Sequence, residues 1–328
     1  MAESTERQPA RHRHHLPQLD GGLFLTDGGI ETTLIFHEGL ELPAFAAFDL
    51  LKDPAGTDAL RRYFEPYAEL ARAYDAGFVL ESPTWRASPR WAAQIGYSVH
   101  ELDALNRKAI ELMEDVRGRH EVAGAPIVIS GCVGPQDDGY DPAEKLSATA
   151  AQDYHSTQIA TFRETAADMI TAITMTYVDE ALGVTRAALA AGMPVAISFT
   201  LESDGLLPSG QALGEAIQQV DGETDRGPAY YMINCAHPTH FETVLEAVEP
   251  WQERIRGLRA NASTKSHAEL DEATELDEGD PVDLGARYAA LAAKLSALTV
   301  LGGCCGTDHR HVEEICKAWP AGSPASAG

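Results

Sequence analysis

The chain has 328 residues, five of them cysteine, and a formal net charge of -25. Its 44% apolar and 23% charged content is that of a globular protein whose core needs no disulfide staples. So acidic a surface repels phosphate backbones and anionic membranes, and no apolar run reaches transmembrane length, so neither nucleic acid nor membrane is expected as a partner.

The chain opens on MAESTERQPARHRHHLPQ, which lacks the apolar core of a signal peptide. Residues 1–19 are expected to form a disordered tail, in which His12, His14 and His15 have no fold to hold a metal geometry. The odd number of cysteines in a chain of this size points to reduced thiols and a cytoplasmic location.

From residue 20 onward, strand-like runs alternate with helix-like ones. GLFLTDGG starts at Gly22, AGFVLESPT at Ala76, APIVISGCVGP at Ala125 and DMITAITMT at Asp168. MPVAISFTLESDG follows at Met193, AYYMINCAHP at Ala229, IRGLRANAS at Ile255 and LTVLGGCCGT at Leu298. Most are short, β-branched and bounded by Gly, Pro or polar turns, the pattern of strands buried on both faces. Amphipathic stretches at 57–75, 100–117, 148–167, 180–191, 213–220, 239–248, 282–297 and 309–317 read as the intervening helices. Eight such units predict a single-domain α/β protein, a (β/α)8 TIM barrel over 20–320. An open doubly wound sheet is the alternative, but TDGGIETTL lacks the GxGxxG spacing of a phosphate loop. The acidic stretch 267–281 reads as a solvated loop or short helix, and 321–328 as a disordered tail.

In such a barrel the chemistry sits at the C-terminal ends of the strands. Those ends carry, in order, Asp27; Glu81, Ser82 and Thr84; Cys132; Thr174 and Thr176; Ser198, Thr200 and Glu202; Asn234 and Cys235; Asn261; and Cys304 with Cys305. Strands six and eight thus bring three cysteines to one rim. Three thiolates leave one tetrahedral position of a zinc ion open, as catalytic zinc sites do. Other readings stand beside it. A lone Cys235 can be a small buried hydrophobe, and the adjacent pair can be a redox switch, although neighbouring residues close a disulfide with strain. Cys132 can be a further ligand or a core thiol, and Cys316 in the last helix reads as core. Gly302 and Gly303 would let the backbone bend and approach a metal. Gly28 and Gly29 would let a substrate approach the main chain.

With these segments in view, the chain resembles the homocysteine S-methyltransferase family. TDGGIETTL, the NC of Asn234-Cys235 and GGCCGT from Gly302 to Thr307 carry the match. SGCVGP, AGFVLESPTWRAS and RANAS support it. The resemblance implies a zinc (Zn2+) enzyme that methylates the thiol of homocysteine to give methionine. It places the metal ligands on Cys235, Cys304 and Cys305, and the grip on the substrate ammonium on Asp27. Gly28, Gly29, Glu81, Thr84, Glu202, Asn234 and Asn261 are the further substrate-binding candidates. The implied partners are a small thiol acceptor and a methyl donor. The short form resembles the members that use S-methylmethionine or S-adenosylmethionine, with Trp85 or Tyr231 offering a face to the sulfonium.

The chain departs from the family at strand four, where Ile173 replaces an expected glutamate. Glu81 and Glu202 are the nearest acids to take its place, unless the acceptor is a different thiol or selenol. A zinc hydrolase using His237 or His309, and a closed zinc or redox-sensing site without catalysis, are the competing functions.

Overall fold

The structure, a computed structural model, describes residues 9–140 and 142–319. Eight parallel strands close into a barrel in chain order. They are β1 (Phe24–Leu25), β2 (Gly77–Glu81), β3 (Ile127–Val133), β4 (Met169–Met175), β5 (Val195–Thr200), β6 (Tyr230–Asn234), β7 (Ile255–Ala260) and β8 (Val300–Gly303). Pairing of Phe24 with Val300 and of Leu25 with Leu301 seals the ring. The (β/α)8 TIM barrel expected from the sequence is the fold, and the open sheet is excluded.

Each strand is apolar along its length because both of its faces are covered. Val79, Val128, Met169, Ala196, Met232 and Val300 pack together inside the barrel. Phe78, Leu80, Ile127 and Ile129 point outward to the helix layer. That layer consists of α1 (Pro54–Ala73), α2 (Val99–His120), α3 (Ala148–Arg163), α4 (Val178–Ala190), α5 (Leu213–Thr224), α6 (Pro238–Phe241), α7 (Pro281–Ala292) and α8 (His309–Ala318). Helix starts are written in the sequence. Asp53 caps α1 through Gly56 with Pro54 in the first turn. Ser98 and Glu101 form a reciprocal capping box on α2; such caps contribute about 1 kcal/mol each.

Two expectations change. The stretch 239–248 holds only one short helix, α6. Phe241 and Leu245 are its buried apolar side chains, while Val248 is exposed, too little burial to hold a longer helix. The N-terminal segment is not a free tail from residue 9 to residue 19. The backbone N–H groups of Arg11 and His12 donate to Asp168 Oδ1. Leu16 and Gln18 are buried at the barrel's N-terminal end, Leu16 against the same interior cluster as Phe24 and Met169. Residues 1–8 and the expected tail 321–328 lie outside the described residues. No helix among the described residues is long and apolar enough to cross a membrane.

Candidate active site

The strand ends open into a cavity of about 390 Å³. Cys235 reaches it from the end of β6, and Cys304 and Cys305 reach it from the turn after β8. One sulfur from each lies within 4.8 Å of the others. Cys235 and Cys304 are joined as a disulfide in this structure, and Cys305 Sγ lies 3.9 Å from Cys235 Sγ. Tetrahedral zinc with Zn–S bonds of about 2.3 Å needs sulfurs about 3.8 Å apart, so the donor set fits zinc once the thiols are reduced. Among the described residues no fourth His, Cys, Asp or Glu joins this cluster. Cys132 lines the cavity apart from it, and burial pushes its thiol well above the usual range. Cys316 is buried in the helix layer, as expected.

The backbone at Cys235 is held in the left-handed region, φ +52°, which costs a non-glycine residue about 1–3 kcal/mol and needs outside support. Asn261 Nδ2 donates to the Cys235 carbonyl at 3.0 Å, and His267 Nε2 lies 2.6 Å from the same oxygen. The His267 Nδ1 is fixed in turn by Glu202 at 3.0 Å. Asn261 and Glu202, expected to touch substrate, therefore stand behind a cysteine and outside the cavity wall. Asn234 does the same for β4. Its side chain accepts from Thr174 N and Ser198 Oγ and donates to Thr174 Oγ1. That grip holds a bulge where Thr174 adopts φ +67°. Thr84 is also withdrawn, donating to the Cys132 carbonyl.

Asp27, Gly28, Gly29 and Glu81 do line the cavity. The glycines there serve packing between protein segments. A Cβ on Gly29 would sit 2.6 Å from the Cys304 carbonyl oxygen, and one on Gly302 would sit 2.7 Å from that of Asp27. The loops after β1 and β8 thus interlock main chain to main chain, while Gly28 and Gly29 keep the place in the cavity wall expected of them.

Arg259, which the sequence reading passed over inside RANAS, is the central cation. Its Nη2 pairs with Asp27 Oδ1 at 2.8 Å and donates to Gly28 O, while Nε donates to Gly303 O. Tyr63 donates to the other Asp27 oxygen. Burial raises the proton affinity of Asp27, and Arg259 and Tyr63 oppose that rise. Burial likewise pushes the Glu81 carboxyl up to about 7, again opposed by Arg259. Ile173 faces the cavity as an apolar side chain, and Trp85 donates its Nε1–H to the Ile173 carbonyl.

Tyr140 is the second residue missed. Its ring stacks on His267 at 4.0 Å and its hydroxyl lies 3.6 Å from Cys305 Sγ. The contact joins the loops after β3 and β7 over the sulfurs. The acidic stretch 267–281 forms a short helix, His267–Asp271, whose Leu270 lines the cavity together with Leu276 and Asp277 beyond it. Tyr231 points away, donating to Asp221 beneath the ring-stacked Phe199, so Trp85 alone of the two expected aromatics faces the cavity. His237 and His309 are not in its wall. His237 Nδ1 contacts Thr239, and burial lowers its proton affinity to about 4.

Residues 24–319 match the family model described as homocysteine S-methyltransferase. Among solved structures, the homocysteine methyltransferase MmuM from Escherichia coli is similar in three forms. Its oxidized form superposes with a TM-score of 0.70 at 19% identity, covering 92% of this chain and 97% of that one. Its metallated form gives a TM-score of 0.68 at 19% identity, over 90% and 96% of the two chains. No curated protein matches by sequence.

Proposed function

Because the chain belongs to the homocysteine S-methyltransferase family and is thus a methyltransferase, we propose that it moves a methyl group from a cationic sulfonium donor, S-methylmethionine or S-adenosylmethionine, to the thiol of homocysteine. The observation that carries this reading is the cluster of Cys235, Cys304 and Cys305 sulfurs, within 4.8 Å of one another at the mouth of a closed barrel. Those three residues would hold a zinc ion, which would supply the Lewis acidity that keeps an acceptor thiol deprotonated at neutral pH.

The chain's own residues orient the reaction. Asn261, His267 and Glu202 hold Cys235 in its left-handed conformation. Tyr140 sets its hydroxyl against Cys305 Sγ at 3.6 Å. The cavity wall carries Asp27, Glu31, Glu81, Asp138, Asp271, Glu275 and Asp277 against two cations, Arg86 and Arg259, with Phe36, Phe45, Trp85 and Tyr140 between them. Carboxylates and aromatic faces favour a cation, which supports the sulfonium donor. The cavity of about 390 Å³ is near the low end of ligand pockets, which favours the smaller S-methylmethionine. In the transfer, the acceptor sulfur forms the new S–C bond as the donor S–CH3 bond breaks. The bonding pair stays on the donor sulfur, which leaves as a neutral thioether. Holding both sulfurs in line with the methyl carbon supplies much of the acceleration.

Ile173 favours a second reading within the same chemistry, a different thiol or selenol acceptor. The test is methionine formation from homocysteine by zinc-loaded protein with each donor. We expect turnover with S-methylmethionine, and loss of both zinc and turnover in Cys304→Ser. Zinc-loaded protein that methylates no thiol or selenol with either donor would refute the reading.

A further inference from the structure

Resting on that reading, we propose that the Tyr140 hydroxyl shields the Cys305 sulfur from the enzyme's own methyl donor, so that the acceptor sulfur is methylated and the metal ligand beside it is not.

The need for a shield follows from the site itself. The three cysteine sulfurs lie within 4.8 Å of one another, and a donor aimed at an acceptor sulfur in the same cluster also faces them. A thiolate is a nucleophile wherever it stands. Cys235 is 4% exposed and is protected by burial. Cys304 and Cys305 are partly exposed and line the cavity. These are the two sulfurs with a hydrogen-bond donor beside them. Asn234 Nδ2 lies 3.9 Å from Cys304 Sγ, and the Tyr140 hydroxyl lies 3.6 Å from Cys305 Sγ.

A thiolate has no proton to give, so the phenol is the donor once Cys305 is ionised. The bond draws on the sulfur lone pairs that would attack a methyl carbon, as hydrogen bonds to metal ligands generally tune them. Tyr140 is fixed for this task. Its ring stacks on His267 at 4.0 Å, 14° from parallel, and its backbone N–H donates to Asp138 Oδ1 at 2.8 Å. An acceptor sulfur that enters without such a bond keeps its full nucleophilicity. Without the shield, Cys305 Sγ would form a new S–C bond as the donor S–CH3 bond breaks, with the bonding pair left on the departing thioether. The cysteine would become a neutral thioether, and the enzyme would inactivate itself.

The experiment follows methylation of Cys305 by peptide mass spectrometry in zinc-loaded wild type, Tyr140→Phe and Tyr140→Leu. Each is incubated with S-methylmethionine and, separately, with S-adenosylmethionine, without an acceptor, and methionine formation from homocysteine is measured in parallel. Tyr140→Phe keeps the ring and its stack but not the hydroxyl. It should methylate Cys305 about tenfold faster than wild type, the order of one lost hydrogen bond to a charged group. Zinc should be released in step with the methyl gained, as a charged ligand becomes neutral. Tyr140→Leu should behave as Tyr140→Phe does. A wild-type rate in Tyr140→Phe, or a rise confined to Tyr140→Leu, while wild type methylates homocysteine, overturns the shield and leaves the transferase reading intact. Faster Cys305 methylation in Tyr140→Phe with no methionine formed by wild type upholds the shield and removes homocysteine as the acceptor. Methylation of neither sulfur by either donor refutes both.

Discussion

Glu81 ties the chemistry of the site to the stability of the barrel. Its carboxyl is raised by burial to about 7 from an ordinary value of 4.5. The folded state therefore holds this proton more tightly than the unfolded chain does. Stability from this group is fully present below about pH 4.5 and is lost as pH rises toward 7, where the buried carboxylate ionises. The shift corresponds to about 3 kcal/mol. Urea unfolding of wild type against Glu81→Gln, both zinc-loaded, should show the variant gaining relative stability between pH 4.5 and 7, by an amount of that order. A difference independent of pH would mean that Glu81 is solvated or paired. Glu81, the last residue of β2, was legible as a rim carboxylate. Arg259, one residue before the end of β7, was not, although its presence was itself a signal. A charge near the C-terminal end of a strand covered on both faces has the barrel mouth as its outlet. The three cysteines were legible because their residue type and rim positions agree. Thr84, Asn234, Asn261 and Glu202 share those rim positions, yet Thr84 and Asn234 are engaged by main chain and neighbouring side chains, and Asn261 Nδ2 and Glu202 are turned to the support of Cys235, which spacing alone does not reveal.

At the scale of elements, alternation of apolar strands and amphipathic helices made the barrel readable, and burial of both strand faces explains why. The N-terminal segment was not readable, because it carries no periodicity and is held by long-range contacts: Arg11 on Glu121, Arg13 on the Ala167 carbonyl, Leu16 in the interior cluster, and Asp168. Asp168, fully buried, accepts from the backbone N–H groups of Arg11, His12 and Ile129 and from Arg117 Nη1. It joins the segment, α2, β3 and β4 at the end of the barrel away from the cavity. Asp168→Asn takes the carboxylate in contact with the buried Arg117 guanidinium and leaves it only the weaker attraction of Glu121 and Glu114, a loss of about 3 kcal/mol from a total near 5–15 kcal/mol. The urea midpoint should fall accordingly, while kcat measured well below the transition stays at the wild-type value. Adding Arg117→Met should restore much of the midpoint, since it removes the stranded charge. A double variant no better than the single one would show that the backbone hydrogen bonds to Asp168 carry the stability.

For the molecule as a whole, the net charge of -25 and the excess of carboxylates around the cavity act in the same direction. A field of that sign concentrates cations at the barrel mouth and raises their capture rate. Its reach is set by salt, with a screening length of about 30 Å at 0.01 M and about 8 Å at 0.15 M. A sulfonium amino acid carries one net positive charge at neutral pH, whereas the zwitterionic acceptor carries none. Raising the salt across that range should therefore increase KM for the donor severalfold and leave KM for homocysteine nearly unchanged, with kcat steady. Only the donor enters as a net cation, so the two substrates separate the long-range field from any general effect of salt on the fold. A donor KM that ignores salt would mean that recognition lies wholly in contacts within the cavity, such as the faces of Trp85 and Tyr140, and that the acidic surface serves solubility alone.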